Sequence, residues 1–392
     1  MGRESVVIQT LRQEWALLLG VVTLIYLETS HLLDWLIHQQ ASLVLGGLGV
    51  LSVLVLLLAR RVASQADHLA EQLGEPLGTL VLTGSVIVIE LALVSSTMLT
   101  GESNPTLARD SMFSVLMIVL TGVKGITLIL ASRFQKQGRE GPMQPEDLAE
   151  VNRSGAATYI NLITTMSVLV LVLPNFSQDS LEANYSLPIN WLLTVVAVGL
   201  YGVFLRFQVG SYRSLFLDTP EQLAISQAGD GSHDALAHDP TAPSQSVWMN
   251  GVLMGGGLLV LVLIAESMGS LIETGITDVG LPSSLGGVLV GLLVVAPEAL
   301  NAFQAAGRGE LQRSLNTLYG SSLSTLCLTV PAVLLIGELT GTNVILGLDP
   351  LESVLLVLTL ILVRPMSGRV SELDGLMLLI VGVVWIALQV VG

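Results

Sequence analysis

The sequence predicts an all-α polytopic membrane protein of about eleven transmembrane helices, arranged as two inverted five-helix repeats plus one extra N-terminal helix. Three observations point there. Only 12% of the residues are charged and 52% are hydrophobic, and the mean hydropathy is +0.74, whereas a soluble domain carries about 25% charged residues. The apolar residues gather in blocks of about 20, the length that crosses a bilayer core. The basic residues fall almost entirely on one side of the predicted membrane.

The blocks lie near 16–37, 41–59, 77–99, 109–131, 156–174, 187–206, 248–268, 284–306, 315–337, 350–364 and 372–391. With the N-terminus inside, the inner loops and ends hold every one of the 16 Lys and Arg except Arg109 and Lys124. The outer loops near 175–186, 269–283 and 338–349 carry acids but no Lys or Arg. One missed span would scramble this asymmetry, so it supports both count and orientation. The expected location is the inner (plasma) membrane, multi-pass, with a cytoplasmic N-terminus and no cleavable leader, because the polar N-terminus runs straight into a span.

Four segments follow. Residues 1–40 are an N-terminal segment with the extra helix, and 41–207 the first five-helix repeat. Residues 208–247 form an acidic cytosolic loop with Asp218, Glu221, Asp230, Asp234 and Asp239, and 248–392 the second repeat. That loop, with His233 and His238, reads as a solvated linker, with cation collection as its sharper alternative.

Several function classes are excluded. A net charge of -15 is wrong for nucleic-acid binding. The single cysteine, Cys327, allows neither a disulfide framework nor a Cys-rich metal site. The two lysines, Lys124 and Lys136, stand outside any phosphate-binding GxxxxGK[ST] pattern, so no ATP-driven pump is expected. No cofactor is implied, and the partners are the lipid bilayer, inorganic cations and protons.

The two halves contain matching segments. Leu77-Gly78 opens an apolar helix with Glu90 twelve residues after the glycine, and Leu285-Gly286 opens another with Glu298 at the same distance. A second apolar helix follows each, opening with Asp110-Ser111-Met112-Phe113-Ser114 and Asn316-Thr317-Leu318-Tyr319-Gly320. The motif regions span about 77–131 and 284–337. The Glu90 helix starts at the inner side and the Glu298 helix at the outer side, so the copies are inverted, a common plan of secondary transporters.

Neither glutamate has a charged neighbour for several residues. Glu90 lies roughly 20 Å along its helix, where an ionised carboxylate costs about 2.5–3.5 kcal/mol or more unless paired or hydrated. It is protonated or it holds a cation, and those states exclude one another. Two carboxylates with nearby hydroxyls and carbonyls suit a hard cation such as Ca²⁺. The bland alternative is interhelical hydrogen bonding.

Supporting candidates are Asn301, one turn beyond Glu298, with Ser95 and Ser96 after Glu90, and Asp110, Ser114, Asn316, Gly320, Ser321 and Ser324 on the second motif helices. The serines either bond their own backbone or ligate ions. Pro297 frees a carbonyl one turn earlier, and Pro331 kinks its helix. Lys124 either pairs with a carboxylate or snorkels to the inner surface. Glu28, Glu266 and Glu338 fall near outer helix ends, with Glu266 a candidate entrance residue.

The stretches HLAEQLGEPLGTLVLTGSVIVIELALVSSTMLTG, NPTLARDSMFSVLMIVLTG and GLLVVAPEALNAFQAAGRGELQRSLNTLYGSSLSTLCLTVPAV resemble the Ca²⁺/cation antiporter superfamily, nearest its bacterial ChaA-type calcium(sodium/potassium)/proton antiporter branch. The resemblance covers nearly the whole chain. It implies two inverted repeats, each with an ion-binding glutamate, here Glu90 and Glu298, and matches the family's Gly-Ser motif to Gly320-Ser321. Ser114 stands where the second repeat has Gly320. The Gly-Asn-x-x-Glu of many plant and fungal relatives is replaced by Val86-Ile87-Val88-Ile89 and Val294-Val295-Ala296-Pro297. That removes possible ligands, so Na⁺ or K⁺ stands beside Ca²⁺ as the expected ion. The expectation is a secondary cation/proton antiporter rather than an enzyme, with a passive cation channel or leak as the alternative. An intramembrane hydrolase lacks a nucleophile–base or metal motif.

Overall fold

The computed structural model describes residues 14–30, 32–37, 40–73, 84–85, 87–95, 105–136, 148–176, 187–216, 247–279, 282, 284–341, 344–364 and 368–391. Its helices are α1 (Trp15–Ser30), α2 (Leu32–Ile37), α3 (Ala41–Leu73), α4 (Leu107–Lys136), α5 (Arg153–Phe176), α6 (Leu187–Val209), α7 (Val247–Val279), α8 (Ser284–Gly307), α9 (Leu311–Thr340), α10 (Pro350–Leu362) and α11 (Glu372–Val391). Residues 84–85 and 87–95 are also helical. Each expected apolar block therefore contains described helix. By length and hydropathy, eight of the described helices can cross a membrane, so the chain is a multi-pass membrane protein. Most of the acidic segment, residues 217–246, lies outside the described residues, with His233 and His238.

The chain forms two compact units, one from Met1–Ala108 and Ala237–Pro297, the other from Arg109–Leu236 and Glu298–Gly392. Each unit draws on both halves of the sequence.

In the first unit α3 and α7, each 33 residues long, pack along one another. Both outrun the expected blocks 41–59 and 248–268. The reason for α3 is local: residues 60–73 are rich in Arg, Ala, Gln, Glu and Leu, good helix formers with no Gly or Pro, so the helix continues where the apolar run stops. Glycines allow close approach. A Cβ on Gly20 of α1 would stand 3.0 Å from Leu58 of α3 and 2.9 Å from Val260 of α7, and one on Gly257 of α7 would stand 2.8 Å from Val62. At one end, buried Glu14 accepts from Arg61 and from Gln65 Nε2 (2.8 Å), tying the start of α1 to α3.

In the second unit α4 is the most enclosed of the described spans, with 78% of its most apolar 18-residue stretch buried. It packs on α11 through small residues. A Cβ added to Gly375 would lie 2.6 Å from the Gly125 carbonyl oxygen, and one added to Gly382 would lie 2.7 Å from Thr121 Oγ1. The rings of Tyr159, Phe204, Phe216 and Tyr319 cluster between α5, α6 and α9, with Tyr159 centroids 4.9 Å from Phe204 and 5.8 Å from Tyr319. A short antiparallel pair, β1 (Ala149–Glu150) and β2 (Arg369–Val370), joins the entries to α5 and α11, and Asn152 caps α5 through the Gly155 N–H at 3.2 Å.

Three spans carry π-helical turns: Ile118–Val123 in α4, Val168–Val172 in α5 and Thr325–Thr329 in α9. Such turns are frequent at functional sites. Pro331 falls two residues after the turn in α9, at the start of helix that continues to Thr340. The block 350–364 is short because a non-helical segment, 344–349, precedes α10 with Leu346 and Leu348 fully buried. Several of its backbone groups find partners: Leu348 N–H donates to Leu171 O (2.8 Å), Leu348 O accepts from Asn175 Nδ2, and Gly347 O accepts from Arg109 (2.6 Å). Buried non-helical backbone is tolerated where such partners exist.

Gly375→Ala places a methyl group against a main-chain carbonyl that a side-chain rotation cannot clear. We expect a loss of about 1–3 kcal/mol, read as a lower unfolding midpoint in detergent. Gly251→Ala and Gly199→Ala, where a Cβ would meet nothing within 4 Å, should leave the midpoint unchanged.

Candidate ion-binding site

Burial is the first property of both glutamates. Glu90, within the helical residues 87–95 of the first unit, is 2% exposed and flanked by buried Ile89, Leu93 and Val94. Glu298 on α8, at the start of the second unit's C-terminal portion, is 9% exposed. Its Oε2 is buried and takes no hydrogen bond from any described residue. An ionised oxygen in that position is costly, so the site fits a proton or a cation. Pro297 sits inside α8 without ending it.

The remaining candidates separate. Asn301, expected on the face of Glu298, is exposed and does not share its burial; three residues is 300° of turn, enough to leave a narrow buried stripe. Ser95 is half-buried, with a hydroxyl that no described residue bonds. Ser96 lies outside the described residues. Asp110 (5% exposed) accepts from Arg109 Nε at 2.8 Å, and Ser114 is buried beside it on α4. Asn316 is occupied by structural bonds: its Nδ2 donates to Phe216 O, and its Oδ1 accepts from Gln312 Nε2 at 2.9 Å. Gly320 is half-buried, with Tyr159 Oη 3.9 Å from where a Cβ would stand. Ser324 and Thr325 donate to Ser321 O at 2.8 and 3.0 Å, and Ser322 donates to Leu318 O at 3.0 Å, the backbone-bonding alternative for those hydroxyls.

Lys124 does not snorkel, being 3% exposed; its Nζ donates to Val363 O at 2.6 Å and lies 5.2 Å over the Tyr319 ring, with the Asp374 carboxylate within electrostatic reach. A carbonyl at the end of α10 stabilises a cation, as helix C-termini do. Glu28 and Glu338 are exposed, and Glu338 lines a small pocket with Asn190, Trp191 and Thr194; the side chain of Glu266 lies outside the described residues.

The sequence reading missed a buried polar pair. Gln389 of α11 donates to Glu352 of α10 at 2.9 Å, and each is 8% exposed. The available signal was an acid two residues after Pro350 in an otherwise apolar run, and a glutamine alone in the last span. Among the described residues no group of three or more His, Cys, Asp or Glu is placed to hold a metal.

Comparison with known proteins agrees with this architecture. Residues 43–210 and 250–391 match the family described as Sodium/calcium exchanger protein. The chain is 31% identical over 378 residues, 96% of each chain, to the Sodium-potassium/proton antiporter ChaA of Escherichia coli (strain K12). It is 26% identical over 243 residues, 59% of this chain and 64% of the other, to a Ca(2+)/H(+) antiporter of Synechocystis. In structure it resembles native YfkE (TM-score 0.66, 16% identity, 97% of this chain and 100% of that one). It also resembles the H+/Ca2+ exchanger CAX (TM-score 0.64, 15% identity, 98% and 88%); at such identities these two show a shared fold. With matches spanning both halves of the sequence, this multi-pass chain belongs to the sodium/calcium exchanger protein family.

Proposed function

We propose that this protein is a secondary cation/proton antiporter of the plasma membrane that exports Ca²⁺, Na⁺ or K⁺ in exchange for protons. Glu90 and Glu298 each hold either a proton or the cation, and alternating access carries the exchange. The observation that carries the reading is the pair of buried carboxylates, one in each half of a chain of this family. The Escherichia coli relative, whose name gives sodium and potassium, supports monovalent ions beside Ca²⁺.

The wider plan is eleven spans, an extra N-terminal helix, a cytoplasmic N-terminus and two inverted halves, 41–207 and 248–392, joined by the acidic segment 208–247. Three observations support the repeat. The second motif helices, α4 and α9, are both 30 residues long. Aligning Asp110 with Asn316 also brings the π turn Ile118–Val123 onto Thr325–Thr329, to within a residue at its start. The matching helices also sort together, α3 with α7 in one unit and α4 with α9 in the other.

The test is proton movement in inverted membrane vesicles, read by a fluorescent pH probe on adding Ca²⁺, Na⁺ or K⁺ separately. Wild type should release protons with at least one ion, and Glu90→Gln and Glu298→Gln should each reduce that release to background while inserting normally. Proton-coupled flux persisting in both variants would sink the mechanism, and cation flux without counter-movement of protons would establish the channel instead. The hydrogen bonds give a second expectation. Ser324→Ala removes a hydroxyl already bonded to its own helix, so exchange should persist and stability fall by about 1 kcal/mol at most. Asn316→Ala strands the Phe216 carbonyl and should cost about 1–3 kcal/mol, read as a lowered unfolding midpoint.

A further inference from the structure

A second polar cluster lies in the Arg109–Leu236/Glu298–Gly392 unit, on helices other than α8. Arg109 and Asp110 open α4, Asp349 and Glu352 open α10, and Gln389 ends α11. Arg109 Nε donates to Asp110 Oδ1 at 2.8 Å, its Nη1 donates to Gly347 O at 2.6 Å, and its Nη2 stands 3.9 Å from Asp349 Oδ2. The guanidinium is therefore engaged with two other carboxylates and a main-chain carbonyl. Glu352 has Gln389 Nε2 on Oε1 at 2.9 Å. Its Oε2 is buried and receives no hydrogen bond from any described residue, in a side chain that is 8% exposed.

The charges around Glu352 are Asp110, Arg109 and Asp349, all within electrostatic reach, while α11 presents only neutral Gln389. Asp110 and the exposed Asp349 already engage the one guanidinium, so an ionised Glu352 would stand uncompensated in buried surroundings that penalise it. A metal ion is one way to compensate it, but no three described carboxylates are placed to hold one. A proton on Glu352 needs no such geometry: Oε1 keeps its bond from Gln389 and Oε2 carries the hydrogen. The cluster also runs from water inwards. The Asp349 side chain is 72% exposed, Glu352 lies one turn along α10, and Asp110 is 5% exposed on α4, the helix that carries Ser114 and a π turn.

We propose that Glu352 is a third proton-binding carboxyl of this transporter, loaded from the aqueous face at Asp349 and serving α4 by a route that does not pass through the cation site on α8. This rests on the exchange reading. The bland reading is a first-turn glutamate favoured by its helix N-terminus and tied by Gln389. It predicts a change in stability but none in proton dependence.

The experiment measures cation-triggered proton movement in vesicles across external pH, with unfolding midpoints of the same proteins. In Glu352→Gln, which keeps the volume and one hydrogen bond to Gln389, the pH profile should shift. Transport under proton-limiting conditions should fall at least tenfold while the half-saturating cation concentration stays within twofold. A profile superimposable on wild type, or a uniform fall at every pH with a lowered midpoint, overturns the proposal. If Glu352→Gln does not insert, Glu352→Asp carries the test: a displaced profile supports the proposal and an unmoved one overturns it. Wild type that moves no protons with any cation defeats the exchange reading itself, whereas a working wild type with an unaltered Glu352→Gln defeats only the role of Glu352.

Discussion

A carboxylate removed from water must be neutralised, and that requirement organises this protein. Hydrocarbon offers no hydrogen bonds, so the backbone closes on itself as helices and every buried polar side chain needs a partner within the fold. Most have one: Asn316 on Phe216, Lys124 on Val363, Arg109 on Asp110 and Gly347. Glu298 keeps a buried oxygen to which no described residue donates. In a packed interior that is an expensive arrangement to retain for stability alone. It becomes useful if the missing partner is the transported species. A proton and a cation then compete for the same oxygen, and that competition couples their movements without any further machinery.

The same scarcity of polar partners shapes the packing. Lipid is as apolar as the side chains, so helix association depends on close van der Waals contact. Gly20 and Gly257 in one unit, with Gly125, Gly375 and Gly382 in the other, provide it. The π turns of α4 and α9 interrupt the regular helical hydrogen bonding of these long spans, and at the second of them the Ser324 and Thr325 hydroxyls donate to Ser321 O. Alternating access requires interfaces that can re-form in a second arrangement, and helices joined through small residues have little side chain to disentangle.

Much of the architecture was legible in the sequence. Apolar blocks of spanning length located every described long helix, because the hydrocarbon thickness is a fixed ruler. Family membership was legible in the stretches around Glu90 and Glu298. Hydropathy could not see the polar extension of α3 to Leu73, which is set by helix propensity beyond the apolar run, nor the buried non-helical segment that shortens α10. The burial of both glutamates followed from their apolar neighbours. The exposure of Asn301 did not, because spacing gives a face but not the width of the stripe that is covered. Glu352 with Gln389, 37 residues apart, was invisible for a different reason: only the packing of α10 on α11 brings them together, and no periodicity encodes it. Lys124 was noticed, but a main-chain carbonyl across helices is a partner that sequence cannot nominate.

The central claim is that proton and cation occupy the same carboxylates in turn. Its most direct test is proton release by the purified protein in weakly buffered detergent solution on adding Ca²⁺, Na⁺ or K⁺, followed with a pH indicator alongside direct measurement of cation binding. The account predicts that binding of the transported ion releases protons in proportion, and that Glu90→Gln/Glu298→Gln together abolish both signals. Cation binding at full affinity with no proton release would contradict it.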